Sequence, residues 1–185
     1  PVRQARQHWS DVLERNPVEF FFRRQDSLLE EAASVLGRFV GCRPDNLVFV
    51  PNATMAMNVV AQNTALAAGD EVLLNGHEYG AVIRIWGSYC RQAGAKTVLA
   101  RLPDAADATT SDYVDAIFSR VTPRTRLIVV SHVTSPTALI LPVAEICQRA
   151  RKLGIPVCVD GPHAVAMLPL ELDKLGCDYY CASLH

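Results

Sequence analysis

With 185 residues, half of them hydrophobic and a fifth charged, the chain has the composition of a globular domain with a sizeable core, not of a disordered segment. Eighteen basic residues against nineteen acidic ones leave a net charge of −1, which argues against a nucleic-acid groove. Apolar runs as short as Leu139-Ile140-Leu141 argue against a bilayer-spanning helix.

The first elements are helical. Residues 3–16 read as an amphipathic helix stopped by Asn16-Pro17. Phe20-Phe21-Phe22 is expected to be an aromatic packing knot, and Ser27 to Phe39 a second helix ended by Gly41. The pattern then alternates. Strands are expected at Leu47–Val50, Glu71–Leu74, Lys96–Ala100, Leu127–Val130 and Ile155–Val159, with a last apolar run at Tyr179–Ala182. Helices are expected at Met55–Leu66, before Ala93-Gly94, at Asp112–Val121 and at Val143–Leu153. Strands alternating with long helices imply right-handed crossovers and a mainly parallel sheet, and continuous apolar strands imply cover on both faces. The organisation expected is an N-terminal helical segment over 1–40, followed by a larger α/β domain over 41–185 whose sheet is incomplete. The chain starts at Pro1 without a methionine or signal-peptide pattern, as expected if it begins inside a longer protein. The six cysteines, at 42, 90, 147, 158, 177 and 181, form no CxxC pair. They read as buried thiols of a reducing, cytoplasmic compartment.

Four polar loops are expected at the carboxyl ends of strands, where open α/β folds keep ligands. Pro51-Asn52-Ala53-Thr54-Met55 enters a helix, so its amides and Thr54 suit a phosphate; equally, Asn52 or Thr54 simply caps the helix. Asn75 to Ala81 carries His77 and Tyr79, rings that stack on a flat ligand or pack on the next element. Ser131 to Thr137 is rich in hydroxyls and contains His132. Asp160-Gly161-Pro162-His163 ends a strand on a carboxylate that can hold a cationic ring nitrogen, bind a metal or cap a turn. An anion beside a pyridinium keeps that nitrogen protonated and lets the ring act as an electron sink.

In this order and spacing, Asn-Ala-Thr at 52–54, His-Glu-Tyr-Gly-Ala at 77–81, Ser-His-Val-Thr-Ser at 131–135, Asp-Gly-Pro-His at 160–163 and Ser-Leu-His at 183–185 resemble the pyridoxal-phosphate enzymes of aminotransferase class V. The resemblance runs from about Val18 to His185 and is nearest to the isopenicillin N epimerase-like branch, with cysteine desulfurases beside it. It implies the three-layer α/β/α large domain of a fold-type I pyridoxal-phosphate enzyme, of which these residues cover roughly the first half, followed by a C-terminal small domain. It places Asp160 at the pyridine nitrogen, His163 at the phenolic oxygen and Tyr79 stacked on the ring, the three catalytic candidates. Thr54, with the amides of Ala53 and Met55 and with Ser183 and His185, is placed at the phosphate. Ser135 stands where desulfurases usually carry an asparagine near the phenolic oxygen, and His163 replaces their common glutamine. Ala53 lacks a hydroxyl that many desulfurases have. These departures point away from a standard desulfurase. The lysine that bonds the cofactor is expected just after His185.

The resemblance therefore implies pyridoxal 5'-phosphate as cofactor, no metal, an amino-acid substrate attacked at Cα, and a homodimer. Epimerisation is the expected reaction; desulfuration or C–S lysis, and then transamination, are its alternatives. Two rivals stand outside the class. One is a metal-dependent hydrolase built on His77, His132, Asp160 and His163, and the other a non-catalytic binding protein of the same fold.

Overall fold

The computed structural model of the protein describes residues 1–104 and 107–184. The chain divides into two compact units, one over Pro1–Val48 and one from Phe49 onward.

The first unit is helical. Helix α1 (Val2–Arg15) ends at Asn16, whose side chain accepts from Glu19 N at 3.1 Å and so caps the single turn α2 (Pro17–Glu19). Pro17 sits at the first helical position, where its missing N–H costs nothing. A π-helical turn over Phe20–Arg24 leads into α3 (Gln25–Val40), which Gly41 closes in the left-handed conformation at φ 68°. The expected aromatic knot is only partly formed. Phe20 meets the Trp9 ring edge-on at 6.5 Å, but the wide π turn fans out its neighbours, leaving Phe21 50% and Phe22 84% exposed.

Leu47–Val50, expected as the first strand, is extended backbone without a ladder partner among the described residues, and Val48 is 82% exposed. An apolar run alone does not make a strand when no neighbour takes up its hydrogen bonds. The Pro51–Met55 loop therefore follows an irregular segment instead of a sheet strand.

In the second unit, helix α4 (Ala53–Asn63) precedes strand β1 (Glu71–Asn75). Then follow α5 (Gly80–Ala93), β2 (Lys96–Ala100), α6 (Thr110–Phe118), β3 (Thr125–Ser131), α7 (Val143–Lys152), β4 (Val157–Asp160), the short α8 (Leu172–Leu175) and β5 (Tyr179–Cys181). The ends lie within a few residues of those expected, and α6 starts early because Thr109 and Asp112 form a reciprocal capping box. All strand pairs are parallel, in the order β2-β1-β3-β4-β5.

The sheet is covered on both faces, as its continuous apolar strands predict. Leu73, Ile128, Val130, Val157 and Val159 pack towards α6 and α7 through Ile117, Phe118 and Ile146. The alternate residues Val72, Leu74, Leu127, Val129 and Cys158 pack towards α4 and α5 through Met57, Val60, Val82 and Trp86. This is the three-layer α/β/α arrangement. Cys90, Cys147, Cys158 and Cys181 are buried free thiols spread through these layers, and Cys177 is a half-buried one. Burial pushes Cys90 up to about 11 and Cys147 up to about 12. Among the described residues, no helix is long and apolar enough to cross a membrane.

The amino edge of the sheet carries a buried carboxylate that is fully partnered. Glu71 accepts from Thr122 Oγ1 at 2.6 Å and meets Lys96 Nζ and an Arg124 guanidinium nitrogen at 3.2 Å each. The Thr122 hydrogen bond leads in holding Glu71 below the usual carboxylate range, with the two cations adding to it.

Trp86 is fully buried and donates from Nε1 to Met57 Sδ at 3.3 Å, tying α5 to α4. Trp86→Ala is expected to cost about 3–5 kcal/mol through the cavity it leaves. The urea midpoint of the full-length protein, measured at constant slope, checks this.

Candidate active site

Strands β1, β3 and β4 end at Asn75, Ser131 and Asp160. The strand order reverses between β1 and β3, which opens a crevice at their carboxyl ends. A cavity of about 400 Å³ lies there, within the range of small-ligand sites.

Three sources build its wall. The amino end of α4 brings Asn52, Ala53 and Thr54, with Asn52 Oδ1 accepting from Met55 N at 2.9 Å. The start of α5 brings Tyr79, Val82 and Ile85. The ends of β3, β4 and β5 bring Ser131, Ser135, Asp160, His163 and Ser183. Ser183 accepts from Ala53 N at 3.2 Å, joining the chain end to the α4 turn.

Most residues singled out from the sequence therefore meet in one place. Ala53, Thr54, Tyr79, Ser135, Asp160, His163 and Ser183 line the cavity. Met55 does not: its amide is taken by the Asn52 cap and its side chain is 46% exposed. His185 lies outside the described residues. Of the four groups of the metal rival, Asp160 and His163 line the cavity, while His77 and His132 are not among its lining residues. His77 Nδ1 is 3.1 Å from Thr137 Oγ1, and His132 Nδ1 is 2.8 Å from Tyr180 OH. Among the described residues no three His, Cys, Asp or Glu side chains come together to hold a metal.

Asp160 differs from Glu71 in one decisive way. It is 6% exposed, yet among the described residues its carboxylate has no hydrogen-bond donor and no ion pair. Burial pushes it up to about 6. A carboxylate that lines a cavity with no partner among the described residues can accept from a cation or a donor.

Sequence reasoning missed Glu78 and Ser131. Glu78 is 4% exposed and lies beneath the loop whose rings, His77 and Tyr79, drew attention. Its Oε1 accepts from Ser131 N at 2.8 Å and from the Asn75 side-chain amide, and its Oε2 lies 2.6 Å from Ser131 Oγ. Asn75 Oδ1 in turn accepts from His77 N at 2.8 Å, fixing the turn that swings Glu78 inwards. Burial pushes Glu78 up to about 8 against the lowering pull of the Ser131 hydrogen bonds, and the Asp160 charge adds to the rise. An asparagine ending a buried strand three residues before a glutamate was the available signal.

Gly161 keeps the next contact. A Cβ there would run into the Tyr180 ring, and that ring holds His132 by the 2.8 Å hydrogen bond. Burial lowers His132 and raises Tyr180 from their ordinary values.

The aminotransferase class-V family model matches residues 14–185. An isopenicillin N epimerase of Streptomyces clavuligerus is 38% identical over 173 residues, which cover 94% of this chain and 43% of that protein. A probable cysteine desulfurase of Mycolicibacterium paratuberculosis is 30% identical over 182 residues, covering 96% of this chain and 26% of that protein. Among solved structures, a C-DES mutant with glycine covalently linked to the PLP cofactor superposes with a TM-score of 0.88 at 25% identity, covering 98% of this chain and 48% of that one. The cysteine desulfurase CsdA of Escherichia coli superposes at 0.76 and 26% identity, covering 88% and 41%. The chain thus spans less than half the length of these relatives.

Two outcomes follow from the site. Asp160 and Glu78 bind a proton more tightly folded than unfolded, so the stability they contribute is full below their ordinary values of 3.8 and 4.5 and is lost as pH rises through about 6 and about 8. The urea midpoint of the cofactor-free full-length protein should fall across that window, and Glu78→Gln should abolish the upper part of the fall. Gly161→Ala should displace the Tyr180 ring, costing about 1–3 kcal/mol. Thermal unfolding, together with a shifted His132 ring resonance, checks it.

Proposed function

The chain belongs to the aminotransferase class-V family, and on that premise we propose that its cavity binds pyridoxal 5'-phosphate and that the whole protein acts at Cα of an amino acid as an isopenicillin N epimerase-like enzyme. The family is pyridoxal-phosphate dependent and the fold is of fold type I. The observation that carries the reading is Asp160: a residue 6% exposed whose carboxylate has no partner among the described residues, at a strand end beside a helix amino terminus. One end of the cavity calls for a cation and the other for an anion, and this cofactor has both.

When bound, the cofactor supplies an electron sink for charge developing at Cα. The chain's own residues supply the rest. Asp160, held by β4 within the sheet, would pair with a ring nitrogen and favour its protonated form. The amino end of the eleven-residue α4 faces the phosphate with its positive dipole end, and Thr54 and Ser183 add hydroxyls. Met55, its amide already spent on Asn52, lies outside this set. Tyr79, 51% exposed at the cavity, would stack on the ring, while Val82 and Ile85 add apolar wall that would exclude water. His163, at the outer edge, and Ser135 serve the oxygen-bearing side of the ring. We further place the protein in the cytoplasm as a homodimer. Met55 and Val59, four residues apart on α4 and 46% and 43% exposed, form an apolar stripe beside the site that a second copy would cover.

The epimerase reading takes support from the 38% identity to isopenicillin N epimerases. The second reading, cysteine desulfuration or C–S lysis, takes support from the likeness to CsdA.

The full-length protein is expected to absorb in the visible and to lose that band on borohydride reduction; a colourless protein that fails to take up the cofactor rejects the reading. In deuterated water, exchange at Cα of an L-amino acid without release of pyruvate or sulfide separates epimerase from lyase. Asp160→Ala should slow that exchange by about 100-fold, the loss of a charge-assisted hydrogen bond.

A further inference from the structure

The two oxygens of Glu78 are not equivalent. Oε1 faces two N–H groups, the Ser131 amide at 2.8 Å and the Asn75 side-chain amide. Neither can accept, so Oε1 has no room for a proton. Oε2 faces Ser131 Oγ at 2.6 Å, and a hydroxyl accepts as readily as it donates. Ser131 is the register partner of Asp160, and both side chains are on the cavity side of the sheet rim. Two buried carboxyls that flank the end of β3, Glu78 from the loop after β1 and Asp160 from β4, cannot both ionise without cost, and the one with a hydroxyl acceptor is the one built to keep a proton.

We propose that Glu78 is a neutral acid in the folded protein, its proton on Oε2 and donated to Ser131 Oγ, so that Ser131 directs its own hydroxyl hydrogen into the cavity beside Asp160. The rim then carries one negative charge, on Asp160, and the cavity gains a fixed donor at Ser131. That donor suits an acceptor atom of the bound ring or of the amino-acid substrate, a step that rests on the cofactor reading; the protonation itself does not. Glu78 is a positioning residue acting through Ser131. The titratable groups around it are Asp160 on β4, His132 next to Ser131 on β3, and His77 and Tyr79 on its own loop. Of these, Asp160 is the one whose charge raises Glu78, in the same direction as burial.

Infrared difference spectra of the cofactor-free full-length protein against Glu78→Gln test this near pH 7. A protonated-carboxyl stretch should be present in the wild type, absent in the variant, and lost from the wild type alone as pH rises through about 8. Loss of a carboxylate band instead would overturn the proposal, and the wild-type pH series decides even if the variant folds poorly. Gln reproduces the pattern, with Oε1 accepting and Nε2 donating to Ser131 Oγ. The Asp160 midpoint, assigned with Asp160→Asn, should therefore stay in place; a drop of about one unit or more would mark a deleted charge and reject the neutral acid. Ser131→Ala should weaken pyridoxal phosphate binding about tenfold, and unchanged affinity would refute the donor role. Wild-type protein that binds no pyridoxal phosphate would fail the cofactor reading while leaving the infrared result intact.

Discussion

The crevice between β1 and β3 exists because the chain reverses its winding direction there, and one buried carboxyl holds its two sides. Glu78 takes the amide of Ser131 from one strand end and the side-chain amide of Asn75 from the other. Glu78 gives an acceptor to backbone and side-chain donors at the floor of the crevice that burial would otherwise leave without one. By occupying them it fixes the spacing of the strand ends. The cavity wall, from Tyr79 on one side to Ser131 and Asp160 on the other, inherits that spacing.

The sheet treats its two edges differently. At the amino edge, Glu71 is buried among a threonine and two cations, and its charge is fully answered within the chain. At the carboxyl edge, the Asp160 carboxylate has no hydrogen-bond donor and no ion pair among the described residues. The first arrangement secures the fold. The second leaves the Asp160 carboxylate open to the cavity.

The fold was legible from periodicity wherever strands were buried on both faces, as in Leu127–Val130 and Val157–Val159. Leu47–Val50 has the same composition and no ladder, because pairing depends on a neighbour that local sequence does not name. The family pattern marks Asp160, Thr54 and Ser183 in order along the chain, and the fold brings them to one cavity. A motif gives a residue but not the fate of its amide: the Met55 N–H goes to the Asn52 cap and the Ala53 N–H to Ser183. Glu78 escaped because an acidic residue in a polar loop looks solvated; only the turn made by Asn75 and His77 shows that it points inward.

The thiols scattered through the three layers carry a consequence of their own. Cys90 lies in α5, Cys147 in α7, and Cys158 and Cys181 in the sheet between them, all four buried; burial suppresses the ionisation of Cys90 and Cys147, and the Cys181 hydrogen bond, followed by burial, that of Cys158. A thiol that is both covered and protonated is inert to alkylation until its surroundings part. Each layer thus contains its own chemical clock. The order in which the cysteines become labelled traces whether the helices leave the sheet one side at a time or the whole sandwich opens at once.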